Sequence, residues 1–278
     1  MRIPFSIFLM PIYWFALTDV AVDPKQNVFR AVLIFIVLHL LVYPASNGYN
    51  SFYDKDEDSV GGLAHPPKVT KHLYYMVVAF DLLSVLVALF VNAYFALAVV
   101  VYLLISKAYS YDKIRLKKHP ILSTLVVALF QGMFVYLAVI IGINGSITIH
   151  KYTFVYALVA TLFLLGSYPI TQIYQHKADA QRGDKTLSML LGVDGTFLFS
   201  ALFFTIASVL YIYMKLCQNL HNHVLTYIVV SLPTVVYFGW WFLVSLKDKS
   251  KINFHHTMVM NKISSLSMSL IFILNLFL

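Results

Sequence analysis

Asn50, Asp54 and Asp58 stand four residues apart at the end of a long apolar run, in the stretch ASNGYNSFYDKDEDSVGG. On a helix of 3.6 residues per turn that spacing brings an amide and two carboxylates to one face. Four of the chain's twelve acids (Asp54, Asp56, Glu57 and Asp58) crowd into this one segment. Carboxylates gathered at the end of an apolar helix point to a hard divalent cation such as Mg²⁺. Such an ion takes one or two carboxylates and completes its shell with water and phosphate oxygens. The plainer alternative is a solvated acidic loop that balances nearby lysines, and Asp56 and Glu57, which lie off the shared face, fit it better.

A second segment, QIYQHKADAQRGDKTLSMLLG, repeats the spacing with Gln175 and Asp179 and continues with Gly183 and Thr186. A helix entering this loop would present Gln175 and Asp179 together; the alternative is an ordinary polar helix end with Asp184 and Lys185 solvated. A third segment, AYSYDKIRLKKHPILS, collects Lys113, Arg115, Lys117 and Lys118. Most of these cations suit a topogenic loop drawn to anionic lipid, while one or two suit the neutralisation of a diphosphate. Beyond Asp58, the residues Gly61, Gly62, Lys68 and Lys71 would form a mobile cover over a phosphate. Asp81 lies inside an apolar run, where an acid is either functional or part of a pair that fixes helix packing. Asp194, near the start of another run, reads as a helix N-cap.

The elements that must position these residues are membrane helices. Of 278 residues 60% are hydrophobic and only 12% charged, with a mean hydropathy of +0.79, whereas soluble domains carry about 25% charged residues. The net charge of +8 therefore reflects membrane topology rather than nucleic-acid binding. The single cysteine, Cys217, excludes an internal disulfide framework and a Cys-based metal cluster. Apolar runs fall at about 4–22, 28–46, 72–90, 91–107, 120–142, 152–171, 195–215, 223–246 and 257–277. They are too long for barrel strands and lack alternation, so they predict an all-α polytopic protein of nine transmembrane helices. The first run is expected to be retained as a span rather than removed as a signal peptide. Sixteen of the twenty Lys and Arg fall on one side, with the N-terminus and the loops after spans two, four, six and eight. That side is expected to be cytoplasmic.

At these segments the chain resembles the UbiA superfamily of intramembrane prenyltransferases. That family carries an N-D-x-x-D-x-x-x-D motif after its second helix and a D-x-x-x-D motif after its sixth, often continued by G-x-x-T-L. Here the first reads Asn50-Ser51-Phe52-Tyr53-Asp54 and ends in Asp58; the second runs from Gln175 to Asp179, then Gly183 and Thr186-Leu187. The AYS…RLK stretch looks like a Y-S…L-K segment that follows the family's fourth helix. Ser51 and Gln175 each replace an expected Asp.

The resemblance implies one membrane domain over 1–278, with nine helices around a central cavity under a cytoplasmic cap of loops, and a bacterial inner membrane as its location. It implies Mg²⁺ held by Asn50, Asp54 and Asp58 on one side and by Asp179, supported by Gln175, on the other. Lys68, Lys71, Arg115, Lys117 and Lys185 would bind the diphosphate, and Asn47, Tyr109 and Asp81 are accessory candidates. The implied partners are a prenyl diphosphate, a lipophilic or aromatic acceptor resembling a quinone precursor, and the bilayer. An intramembrane terpene cyclase and a non-catalytic isoprenoid-binding protein are the competing readings. A small-solute transporter fits less well, because Asp81 is the one good ionisable candidate at membrane depth.

Overall fold

The computed structural model describes residues 2–19, 21–25, 27–55 and 59–278. The chain forms α1 (Phe5–Leu17), α2 (Val28–Asp54), α3 (Lys71–Val91), α4 (Ala93–Ser110), α5 (Pro120–Asn144) and α6 (Lys151–Gln172). A short α7 (His176–Gln181) leads to α8 (Leu187–Cys217), α9 (His221–Lys247) and α10 (Phe254–Asn275). Among the described residues the only extended pairing is an isolated bridge between Val60 and Leu63. Eight helices are long and apolar enough to cross a membrane, which makes this an integral, multi-pass membrane protein. The first of the nine expected runs forms a shorter apolar helix, 3-10 in its first half, and is not among those eight.

Hydropathy and helix length part company at α2. The apolar run ends near residue 46, yet the helix continues to Asp54 and stops at Lys55, which takes a left-handed conformation (φ 50°). The polar turns 47–54 stay helical because helix formation needs backbone hydrogen bonds, not apolar side chains. The single helical face predicted for Asn50, Asp54 and Asp58 is seen for Asn50 and Asp54. Asp58 lies outside the described residues.

Helix junctions are tied by side chains that satisfy stranded backbone groups, a necessity in lipid. Asn92 is the one residue between α3 and α4, as the near-contact of the two runs predicts. Its Oδ1 accepts from Phe95 N–H (2.9 Å), and its Nδ2 donates to the carbonyls of Ile141 (3.3 Å) and Gly142 (2.9 Å) in α5. Within α5 the segment Leu129–Phe134 widens into π-turns. There Thr161 Oγ1 of α6 accepts from Met133 N–H at 3.1 Å. Gly132 permits this approach, since a Cβ on it would lie 2.7 Å from the Thr161 Cα. Gly132→Val is expected to cost about 3 kcal/mol by forcing α5 and α6 apart, seen as a lowered Tm in detergent, with Gly132→Ala less affected.

Two charged clusters serve packing. Asp81 pairs with Lys107 at 2.8 Å, and the Lys107 ammonium lies 4.5 Å from the Tyr49 ring centroid. This contact joins α3, α4 and α2. At the far end of the bundle buried Asp19 accepts from Tyr136 Oη (2.8 Å) and Thr153 Oγ1 (2.9 Å). Lys215 is fully buried against the Tyr156 ring at 4.6 Å. Nearby, Phe15 stacks on Phe272 with ring centroids 4.5 Å apart and meets Tyr136, Tyr156 and Tyr211 edge-on. This ring cluster closes the lower end of the central cavity.

Candidate active site

A cavity of about 790 Å³ runs between the helices. Asn47, Asn50 and Asp54 of α2 line its upper end, and Gln175, Asp179, Arg182 and Asp184 line the same end from around α7. The two acid segments, more than a hundred residues apart in sequence, thus face one space. Elsewhere the walls are mainly apolar and aromatic, including Phe8, Phe130, Phe163 and Phe238.

Local chemistry explains how the second segment is built. The spanning helix α6 ends at Gln172, so Gln175 and Asp179 do not continue it as one helix. Gln175 sits at the N-terminus of α7, and its carbonyl accepts from Asp179 N–H at 2.9 Å. Gly183 then takes a left-handed conformation (φ 73°) that a side chain would strain, reversing the chain after α7. Thr186 caps α8, its Oγ1 accepting from Met189 N–H at 3.3 Å. The expected cap, Asp194, lies instead beyond the break at Gly192 and pairs with Lys249 at 2.6 Å. Gly192 is non-helical (φ 67°, ψ 177°), so a short helix from Leu187 precedes the longer one that carries the apolar run.

The basic segment between α4 and α5 clasps both acid segments. Arg115 makes a two-pronged contact with Asp184, Nε to Oδ1 at 3.0 Å and Nη2 to Oδ2 at 2.9 Å. It also donates to Asp112 Oδ1 (3.0 Å) and stands 3.6 Å from Asp54 Oδ1. Lys117 is buried and donates to Asn50 Oδ1 at 3.2 Å and, more closely, to Asp54 Oδ1. Asp184, expected in solvent, is therefore a buried partner of Arg115. Its only sequence signal is being an acid in an acid-poor chain.

Electrostatics follow from this crowding. Burial pushes the Asp179 carboxyl up to about 6; Asp184 and Asp54 act in the same direction, while Arg182 and Lys117 oppose them. Arg115 is held more firmly protonated than usual, chiefly by its hydrogen bonds to Asp184.

The other predicted residues are placed as follows. Asn47 lines the cavity, and its carbonyl accepts from Arg2 Nη2 at 3.2 Å. Tyr109 also lines it and shares a short hydrogen bond with the Tyr168 hydroxyl. Lys68, Lys71 and Lys185 are exposed, and none of these three nor Asp81 lines the cavity. The glycines expected in a mobile cover are instead seated on other elements. A Cβ on Gly61 would lie 2.6 Å from the Phe5 ring, and Gly62 N–H donates to the Met258 sulfur at 3.4 Å.

The donor set of Asn50, Asp54, Gln175 and Asp179 is all oxygen, two carboxylates and two amides, which suits a hard divalent cation. Among the described residues no three His, Cys, Asp or Glu gather closely enough to form a protein-only metal cage. Such a sparse set suits an ion that keeps water and phosphate oxygens in its shell.

Residues 8–265 match the UbiA prenyltransferase family. The chain belongs to that family. Comparison with curated proteins returns no match. Among solved structures, a UbiA homologue from Archaeoglobus fulgidus bound to GPP and Mg²⁺ is 19% identical with a TM-score of 0.69, covering 99% of this chain and 97% of that one. The apo UbiA homologue from Aeropyrum pernix K1 is 18% identical with a TM-score of 0.69, covering 96% and 98%. A structure concerned with digeranylgeranylglyceryl phosphate synthase is 16% identical with a TM-score of 0.59, covering 99% and 93%. At these identities the likenesses establish a shared UbiA fold.

Proposed function

We propose that this UbiA-family protein transfers a prenyl group from a prenyl diphosphate to a lipophilic or aromatic acceptor inside the membrane, with Mg²⁺ as cofactor. The observation that carries the reading is the convergence of Asn50 and Asp54 with Gln175 and Asp179 at one end of a cavity whose other walls are largely apolar. Support also comes from the Archaeoglobus fulgidus homologue, whose structures hold GPP or DMAPP together with Mg²⁺.

On this reading Asn50 and Asp54, together with Asp58, would hold Mg²⁺ from one side, and Asp179 with Gln175 from the other. When bound, Mg²⁺ offsets the negative charge that collects on the diphosphate as its bond to the prenyl carbon breaks. Lys117 and Arg182 bring positive charge to the same end of the cavity. Arg115 acts indirectly, holding Asp184 and standing beside Asp54. Lower down, the faces of Phe130, Phe163 and Phe238 exclude water and offer π-density to an allylic cation. The strong Lys and Arg bias supports a cytoplasmic position for this end of the bundle, and the proposed membrane is a bacterial inner membrane.

Two measurements test the function. Purified protein with geranyl or geranylgeranyl diphosphate and Mg²⁺ should release diphosphate once an acceptor is supplied, and untargeted lipid analysis of cells with and without the protein should reveal the prenylated product. Diphosphate release with no prenylated acceptor would favour the cyclase reading. No release at any chain length from folded protein would remove both enzymatic readings.

A further inference from the structure

α7 carries Asp179 yet has little of its own to hold it in place. It is six residues long and buries none of them, and a helix that short depends on ties from outside. Its C-terminal end is tied through the Gly183 turn. There Asp184 N–H donates to the Asp179 carbonyl at 3.0 Å, and Arg115 grips the Asp184 carboxylate. The N-terminal end is tied by the His176 side chain. Its Nε2 lies 2.7 Å from Ser188 Oγ, which in turn lies 3.0 Å from Thr196 Oγ1. Ser188 and Thr196 are both fully buried.

The hydrogens along this chain of contacts can be assigned, because each hydroxyl has one to give. Thr196 Oγ1 is 2.6 Å from the Gly192 carbonyl and 3.3 Å from the Ser188 carbonyl. An oxygen as close as 2.6 Å to a carbonyl must point its hydrogen there. Thr196 Oγ1 then accepts from the Ser188 hydroxyl, and Ser188 Oγ is left to accept from His176. The His176 ring therefore carries a proton on Nε2. Donation runs from His176 through Ser188 and Thr196 to Gly192, and it joins three pieces of backbone: α7, the short helix from Leu187, and the long helix beyond the break.

We infer that His176 is a positioning residue that sets the Asp179 carboxylate through this relay. The inference rests on the reading of Asp179 as an Mg²⁺ donor. Asp179 stands three residues beyond His176, about one turn, so a shift or rotation of α7 moves its carboxylate directly. His176 does not itself line the cavity, so it acts through Asp179 rather than on the ion or the substrate. Gln175 sharpens the need for such a device. It supplies no charge, which leaves Asp179 as the one acid that α7 brings to the site.

The relay is tested in full-length protein in lipid nanodiscs, by calorimetric titration of Mg²⁺ in the presence of an unreactive geranyl thiolodiphosphate. Amide exchange of the metal-free protein is measured alongside. His176→Leu and Ser188→Ala are expected to raise the Mg²⁺ concentration for half-maximal binding by about tenfold. Both should speed exchange in 176–184 while leaving α9 and α10 unchanged. His176→Gln, whose amide can donate to Ser188 from near the place of Nε2, should restore most of the wild-type affinity. Should His176→Leu fail to fold, the isosteric Thr196→Val carries the same prediction. Faster exchange with unaltered Mg²⁺ affinity would overturn the inference, since α7 would then be held without setting the site. Wild-type exchange in 176–184, or a Gln variant as impaired as the Leu one, would overturn it too. Wild-type protein that binds the analogue equally well without Mg²⁺ would overturn the proposed function, and it would do so with the exchange difference still in place.

Discussion

Asp54→Ala is expected to lower prenyl transfer by about a thousandfold or more. Asp54 is where three segments meet: it shares Lys117 with Asn50, stands 3.6 Å from Arg115 and lines the same cavity end as Asp179. Removing its carboxylate takes away half of the described acidic donors and leaves the buried ammonium of Lys117 without its closest partner. Asp54→Asn keeps the shape but not the charge, and it is expected to be almost as inactive. Asp179→Ala should match Asp54→Ala, whereas Gln175→Ala, which removes no charge, should be milder. Initial rates at saturating Mg²⁺ distinguish these cases, and normal turnover by Asp54→Ala would refute the metal assignment.

The second large effect is expected on stability. Asp184→Ala leaves the Arg115 guanidinium buried without its two-pronged partner, and breaking such a pair costs about 3–5 kcal/mol. The loss should also loosen the clasp between the acid segments, because Arg115 bridges Asp184, Asp112 and Asp54. A lowered Tm is therefore expected, together with faster amide exchange in both 111–119 and 182–186. An unchanged Tm, or exchange altered in one segment alone, would show that Arg115 does not couple the two.

Much of this site is legible in the chain because it depends on spacing. Asn50 and Asp54 share a face since α2 runs on through polar residues to Asp54, and Gly183 and Thr186 mark the turn and the cap that set α7 and α8. The joint at Asn92 is legible for a similar reason, being the one polar residue between two apolar runs. Tertiary pairing is what spacing does not reveal. Nothing local distinguishes buried Asp184 from exposed Lys185, or buried Lys117 from exposed Lys118; their fates depend on which segment folds over them. Hydropathy marks the first run as apolar but does not reveal how far its helix persists, and α1 is a shorter helix than the other spans.

The most direct test of the central claim, that the segments around Asp54 and Asp179 form one Mg²⁺-dependent diphosphate site, is calorimetric binding of an unreactive prenyl thiolodiphosphate. Wild-type protein should bind it with Mg²⁺ present and lose it when the ion is chelated, while Asp54→Ala and Asp179→Ala should each abolish binding without a matching loss of Tm. Tight binding in the absence of any divalent cation, or wild-type affinity in either variant, would contradict the account.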